Sequence, residues 1–329
     1  MKKVLNLIEE KVVAAFESAG IDKKYARVAL SNRPDLCEYQ SNGAMPAAKE
    51  YKKAPIMIAN SIVEYMKDDE MFEDIKMRVY STLENPNVYG EYLLLIIPII
   101  ASLFWTEKGW KRKLFLFSCL ILTGLAIVLT FSRGCWLGLM LAIAVLAIII
   151  DRRFIFLGIL VLLTLPFILP ETIINRFMSI GNMEDSSTSY RVYIWMGTLA
   201  MLKDYWISGV GMGITSFNTI YPLYSYNNIV APHSHNLYLQ VIVEYGIIGF
   251  ITMVGVMYNY FKEVIISMRV KKDIVLGGLM SGMFGFLLQS MTDHTWYNYR
   301  VVLMFWMMIG ISVVSSKINI REKENDQNC

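Results

Sequence analysis

The sequence predicts an all-α polytopic membrane protein with about seven transmembrane helices and one large external loop, carried behind a soluble N-terminal segment. Three observations predict it. After Tyr80 the chain becomes a series of apolar runs separated by short polar loops. Basic residues gather in alternate loops of that series. Residues 1–80 are rich in Lys, Asp and Glu, so the 55% hydrophobic content and mean hydropathy of +0.43 average two unlike parts.

The apolar runs cover residues 88–105, 114–130, 134–150, 154–170, 237–261, 274–291 and 301–316. Several approach the lower limit of about 17 residues for crossing a hydrocarbon core of about 30 Å. Backbone groups in lipid must be satisfied within their own segment, so these runs are expected as helices rather than strands. Lys108, Lys111, Arg112 and Lys113 follow the first run, and Arg152 and Arg153 follow the third. Lys262, Arg269, Lys271 and Lys272 follow the fifth, and Lys317, Arg321 and Lys323 the seventh. The positive-inside rule places all of these in the cytoplasm. Residues 131–133, 171–236 and 292–300 then face the other side, with Arg133, Arg191, His233, His235, His294 and Arg300 among them.

Composition excludes several classes of function. A net charge of +3 is too small to argue for nucleic acid. Cys37, Cys119, Cys135 and Cys329 show no paired or metal-type spacing, so neither a disulfide nor a metal site is expected. Met1-Lys2-Lys3 leads into an amphipathic pattern rather than the apolar core of a secretory leader.

Two of the three histidines stand in Pro232-His233-Ser234-His235-Asn236, where a polar loop meets an apolar run. Histidine is the side chain whose unperturbed pKa lies near neutrality. His233 and His235 admit three readings: metal ligands, helix-capping structural residues, or a general base poised to take a proton from a hydroxyl. Arg133 lies between two apolar runs with little loop. Such an arginine either snorkels or offers a fixed cation to phosphate, with Gly134 allowing close approach. Arg191 opens a stretch of helical periodicity that reads as an amphipathic surface helix, with residues 186–189 as possible N-caps and Arg191 in its first turn. Gly209-Val210-Gly211-Met212-Gly213 reads as a flexible turn, lacking the strand, lysine and helix of a nucleotide loop. Glu244 is expected to pack or hydrogen-bond inside the bundle.

Five sets of residues occur in order: Glu84-Asn85-Pro86-Asn87-Val88-Tyr89-Gly90-Glu91-Tyr92; Ser132-Arg133-Gly134-Cys135-Trp136-Leu137-Gly138; Tyr190-Arg191-Val192-Tyr193-Ile194-Trp195; the glycine turn at 209–213; and His233-Ser234-His235-Asn236-Leu237-Tyr238-Leu239-Gln240 running to Glu244-Tyr245-Gly246-Ile247-Ile248-Gly249. On these, residues 76–316 resemble the C-terminal part of the O-antigen ligase and polymerase superfamily. The large external loop then spans 171–236 and a cytoplasmic tail 317–329. The resemblance implies a metal-independent glycosyltransferase, without cofactor, in the inner membrane with its active face extracytoplasmic. Its partners would be a polyprenyl-diphosphate-linked glycan donor, a hydroxyl acceptor and the bilayer. By the same resemblance Arg133 and Arg191 would neutralise the diphosphate, and His235 would act as base with His233 as second choice. Arg78 and Arg300 would be further phosphate or glycan contacts.

Residues 1–75 resemble a different family, the N-terminal additional domain of arginyl-tRNA synthetase. The resemblance runs through Leu30-Ser31-Asn32-Arg33-Pro34-Asp35-Leu36-Cys37-Glu38-Tyr39-Gln40-Ser41-Asn42-Gly43-Ala44 and on to Asp74-Ile75. It implies a small, incomplete α/β soluble segment, with Tyr39, Gln40 and Asn42 as candidate tRNA contacts. tRNA is nonetheless disfavoured as a partner: the segment holds 13 acidic against 11 basic residues, and the synthetase's ATP and arginine motifs are absent. Ile75-Lys76 passes from one pattern to the other without a linker, and the topology places the segment outside. The expectation is a chimera, inactive if the family's upstream helices are required. The rival functions are a membrane-tethered tRNA-binding segment and a transporter of lipid-linked sugars. A transporter calls for charges deep in several broken helices, whereas these helix interiors are nearly uncharged.

Overall fold

A computed structural model describes residues 2–30, 39–67, 69, 81–83, 85–183 and 185–328. It divides into two compact units, one of residues 1–77 with 183–190 and one of residues 78–182 with 191–329.

In the first unit, α1 (Lys2–Ser18) carries Ile8, Val12, Ala15 and Phe16 on one face at helical spacing, all buried. They meet Ala47 of α2 (Ala44–Tyr51) and Ile58 and Ile62 of α3 (Pro55–Glu64) in one core. Pro55 starts α3, where its missing N–H is no loss. β1 (Ala29–Leu30) and β2 (Tyr39–Gln40) pair antiparallel over two residues each, so the strand content expected here is, among the described residues, this short ladder. Tyr39 and Gln40 are half-buried within it, and Asn42 is exposed beside it.

The second unit is a helical bundle: α4 (Pro86–Thr106), α5 (Trp110–Leu129), α6 (Arg133–Ile150), α7 (Phe154–Ile168), α8 (Glu171–Met178), α9 (Ser186–Tyr205) from Arg191 on, α10 (Ile214–Ile220), α11 (Leu237–Val270), α12 (Ile274–Gln289) and α13 (Tyr299–Asn328). Asn85 caps α4, its side chain accepting from the Asn87 N–H at 2.8 Å. Asp273 caps α12 by accepting from Val275 and Leu276.

Five of the seven expected spans, α4, α5, α6, α11 and α13, are long and apolar enough to cross a membrane by length and composition. The other two are shorter: α7 has 15 residues and α12 has 16. For α12 the reason is its place. It lies at the bundle's centre against α4 and α6, so protein rather than lipid surrounds it. Gly138 of α6 and Gly285 of α12 make that contact: a Cβ on Gly285 would stand 2.4 Å from the Gly138 carbonyl oxygen. Small residues let helix backbones approach this closely.

Contacts sort the loops by end. Lys272 donates to the Ile150 carbonyl at 2.7 Å, and Lys271 pairs with Glu322 at 2.7 Å, so three basic segments share one end. The histidines lie at the other. There α11 is broken at Gly246, whose φ of 67° and ψ of −173° are not helical. The loop after α9 fills the break: Val210 N–H donates to Val243 O at 2.7 Å, and Ile247 N–H to Trp206 O at 2.8 Å. A Cβ on Gly246 would sit 1.9 Å from the Ile207 carbonyl oxygen, and Gly209 (φ 67°) is equally crowded, 2.6 Å from Glu244 O. Glycine alone fits both demands. The glycine turn is thus a turn, as expected, but one clasped into a helix rather than flexible.

Candidate active site

His235 is positioned from both sides. Asn236 caps α11, accepting from the Leu239 N–H at 3.0 Å, while its amide donates to the Met291 carbonyl at 2.9 Å. The Leu237 N–H donates to the Ser290 carbonyl at 2.9 Å. The start of α11 is therefore docked on the loop after α12, and that loop delivers Asp293. His235 Nδ1 lies 3.0 Å from Asp293 Oδ1, both residues being buried. Asp293 Oδ2 accepts from the Asn87 amide at 3.0 Å and stands 4.0 Å from the Arg191 guanidinium. One carboxylate thus gathers an imidazole from a neighbouring loop, an amide from α4 and an arginine from α9.

This arrangement fixes chemistry. With a carboxylate at Nδ1, the neutral imidazole carries its proton there and keeps Nε2 as its basic nitrogen. His233 Nδ1 accepts the His235 backbone N–H at 3.2 Å, which assigns His233 the opposite tautomer and a supporting role. His235 also has a left-handed backbone, φ 47°, a conformation non-glycine residues seldom adopt. The Trp195 indole donates to its carbonyl at 3.2 Å, helping to hold that shape. His294 packs 5.3 Å from the His233 ring. Its Nδ1 is enclosed without a hydrogen-bond partner among the described residues, although the residue as a whole is half-buried. Burial pushes its pKa down to about 4 against the opposing pull of Asp293, so it is uncharged near neutrality.

The predicted arginines fall in different places. Arg191 belongs to the cluster. Its helix begins five residues earlier, at Ser186, so Arg191 lies in the second turn with its side chain 15% exposed. The start is capped by Asp185, which accepts from the Thr188 N–H at 3.0 Å, and not by the serine run. Nor is α9 cleanly amphipathic: Ile194, Thr198 and Met201 are buried, yet Leu199 is 52% exposed. Arg133 lies at the same end of the bundle, donating to the Ser179 carbonyl at 2.9 Å and hydroxyl at 2.8 Å. Gly134 does admit a close neighbour, since a Cβ there would meet Gln289 Oε1 at 1.9 Å. Arg300 is exposed, donating to the Thr82 carbonyl at 2.7 Å and stacking on Tyr299. Arg78 and the Ile75-Lys76 joint lie outside the described residues. Glu244 accepts from Gln240 at 3.0 Å, and Gln240 in turn accepts from the Ser234 N–H at 2.8 Å.

Sequence reasoning missed Asp293, Asn87 and the buried Glu91. Glu91 of α4 accepts from Gln289 at 3.5 Å, a buried exception to the uncharged helix interiors. The signal for Asp293 was its place beside His294 in a loop already facing the histidines. His233, His235 and Asp293 also bring ligand-capable atoms within 4.8 Å of one another. A cation there would compete with the hydrogen bonds that hold the cluster.

The pattern of the O-Antigen ligase family matches residues 117–254, a stretch that includes Arg133, Arg191, His233 and His235. The pattern of the Arginyl tRNA synthetase N terminal domain matches residues 3–79. Among curated relatives, the arginine–tRNA ligase of Agathobacter rectalis is 60% identical over 76 residues, 23% of this chain and 13% of that protein. That of Alkaliphilus oremlandii is 53% identical over 75 residues, again 23% and 13%. The chain thus spans about an eighth of those relatives' length. No solved structure matches. The chain is thus a predominantly helical, multi-pass membrane protein with one stretch similar to O-antigen ligases and, before it, one similar to the N-terminal domain of arginyl-tRNA synthetases.

Proposed function

We propose that the protein is a glycosyltransferase acting on a glycan carried by polyprenyl diphosphate, and that it joins that glycan to an acceptor hydroxyl at the extracytoplasmic face of the inner membrane. The observation that carries this reading is the buried His235–Asp293 pair with Arg191 on the carboxylate's far oxygen. Asp293 orients the imidazole. His235 Nε2 takes the acceptor proton as the acceptor oxygen attacks the anomeric carbon. The bond from that carbon to the diphosphate oxygen breaks, and its electron pair leaves with the polyprenyl diphosphate. Arg191 and Arg133 offer fixed, forked charge to that leaving group, the larger contribution to the barrier by general precedent. The basic loops at the opposite end support the orientation.

The test follows release of polyprenyl diphosphate by the purified full chain in lipid nanodiscs. His235→Ala should lower turnover by roughly 10²–10⁴-fold while insertion is unchanged. Normal turnover in that variant would remove His235 as the base.

A further inference from the structure

The loop after α12 carries more than Asp293. Tyr297 packs with its ring centroid 4.7 Å from His233, whose other neighbour is His235 at 4.2 Å. His294 closes the group at 5.3 Å from His233. Exposure grades sharply across these rings: His235 is fully buried and His233 nearly so, whereas Tyr297 is 46% exposed. Tyr297 is therefore the outermost ring of the group, packed on His233 on one side and exposed on the other. The loop holding it is built rather than loose. The Tyr297 N–H donates to the His294 carbonyl at 2.9 Å, and Ser290 and Thr295 share a hydrogen bond of 2.7 Å. Trp296 beside it packs on Phe305 and Trp306.

We infer that Tyr297 is a stacking platform for a pyranose ring, and that the ring is the acceptor's. The inference rests on the transferase reading above. An acceptor whose hydroxyl is to reach His235 would bring its sugar to the exposed side of this ring group, where Tyr297 stands. A sugar's apolar face presents polarised C–H bonds, which the electron-rich face of an aromatic ring attracts. Arg191 meets Asp293 on the oxygen opposite His235's, so the anionic donor group has a separate anchor.

The experiment uses the full chain in nanodiscs, with a polyprenyl-diphosphate-linked oligosaccharide as donor and a series of hexose- and N-acetylhexosamine-terminated oligosaccharides as acceptors. Tyr297→Ala should raise the acceptor KM roughly three- to tenfold, the worth of one aromatic contact, with kcat largely kept and Tyr297→Phe near wild type. A rise confined to the donor KM overturns the assignment to the acceptor and moves the ring to the donor glycan. Unchanged KM for both substrates, or less inserted protein with unchanged KM, overturns the platform and makes Tyr297 a membrane-interface anchor. Should the wild-type chain release no polyprenyl diphosphate from any donor, the transferase reading itself fails, and the platform with it.

Discussion

The two units solve opposite solvent problems. In the first, Phe16 and Ile58 are buried and charged residues such as Lys23 and Glu17 face water. In the second the gradient is inverted around the candidate site. On α5, Phe115 is 68% and Leu122 66% exposed, while Asn87, Glu91, Gln289 and Asp293 are each below 5%. The outward apolar surface suits hydrocarbon, where a buried polar group must find its partners inside the bundle. The comparison teaches how to weigh a buried polar side chain. Ser281 and Ser312 in the bundle satisfy their hydroxyls on their own helix, whereas Asn87, Gln289 and Asp293 find partners on other elements.

Four substitutions or conditions test that contrast, beginning with the largest effect. Asp293→Asn keeps the volume but offers the wrong hydrogen-bonding partner to His235 Nδ1. Turnover should fall by about 10²–10⁴-fold with little loss of thermal stability. A variant that merely unfolds would make Asp293 a structural residue.

Phe16→Ala, 2% exposed in the wild type, should cost the soluble segment about 3–5 kcal/mol. Proteolysis of that segment should then accelerate while the melting of the membrane unit stays in place. A joint shift of both transitions would show that the units are energetically one body.

A smaller effect is expected from pH. His294 binds a proton with a pKa of about 4 when folded, below its ordinary value of 6.5. Between those values the unfolded chain holds the extra proton, so stability is complete above pH 6.5 and declines as the pH falls toward 4. His294→Gln should flatten this decline in a melting series from pH 7 to 4.5. An unchanged slope would assign the acid sensitivity to other groups.

The smallest effect should come from Leu122→Ala. Facing lipid, it should cost well under the ~2–5 kcal/mol expected for Leu94→Ala at a fully buried site of α4. Equal costs would mean that a protein surface covers α5.

Much of the bundle was legible because its signals are local. Runs of apolar residues and loops of Lys and Arg are read from neighbours in sequence, and they placed Arg133, Arg191 and His235 at one end. The partners were harder to see because they come from afar. His235 and Asp293 are 58 residues apart, and Asn87 and Asp293 are 206. No periodicity encodes such pairs. The break at Gly246 was hidden for another reason: it falls within an unbroken apolar run, and the backbone groups it frees are answered by Trp206 and Val210. The serine run before Arg191 misled because Asp185, one residue earlier, competes better for the same N–H groups.

That clasp has a consequence for how this loop can vary. Residues 206–211 are hydrogen-bonded into α11, which ties the end of α9 to the helix that His235 precedes. Insertions in the loop are best borne at its exposed points, such as Leu223 and Val230, because Phe217 and Tyr221 are buried; each doubling of a flexible loop's length costs only about 0.6 kcal/mol in closure. The same spacing of Arg191 and His235 can thus stand beside outer loops of different size.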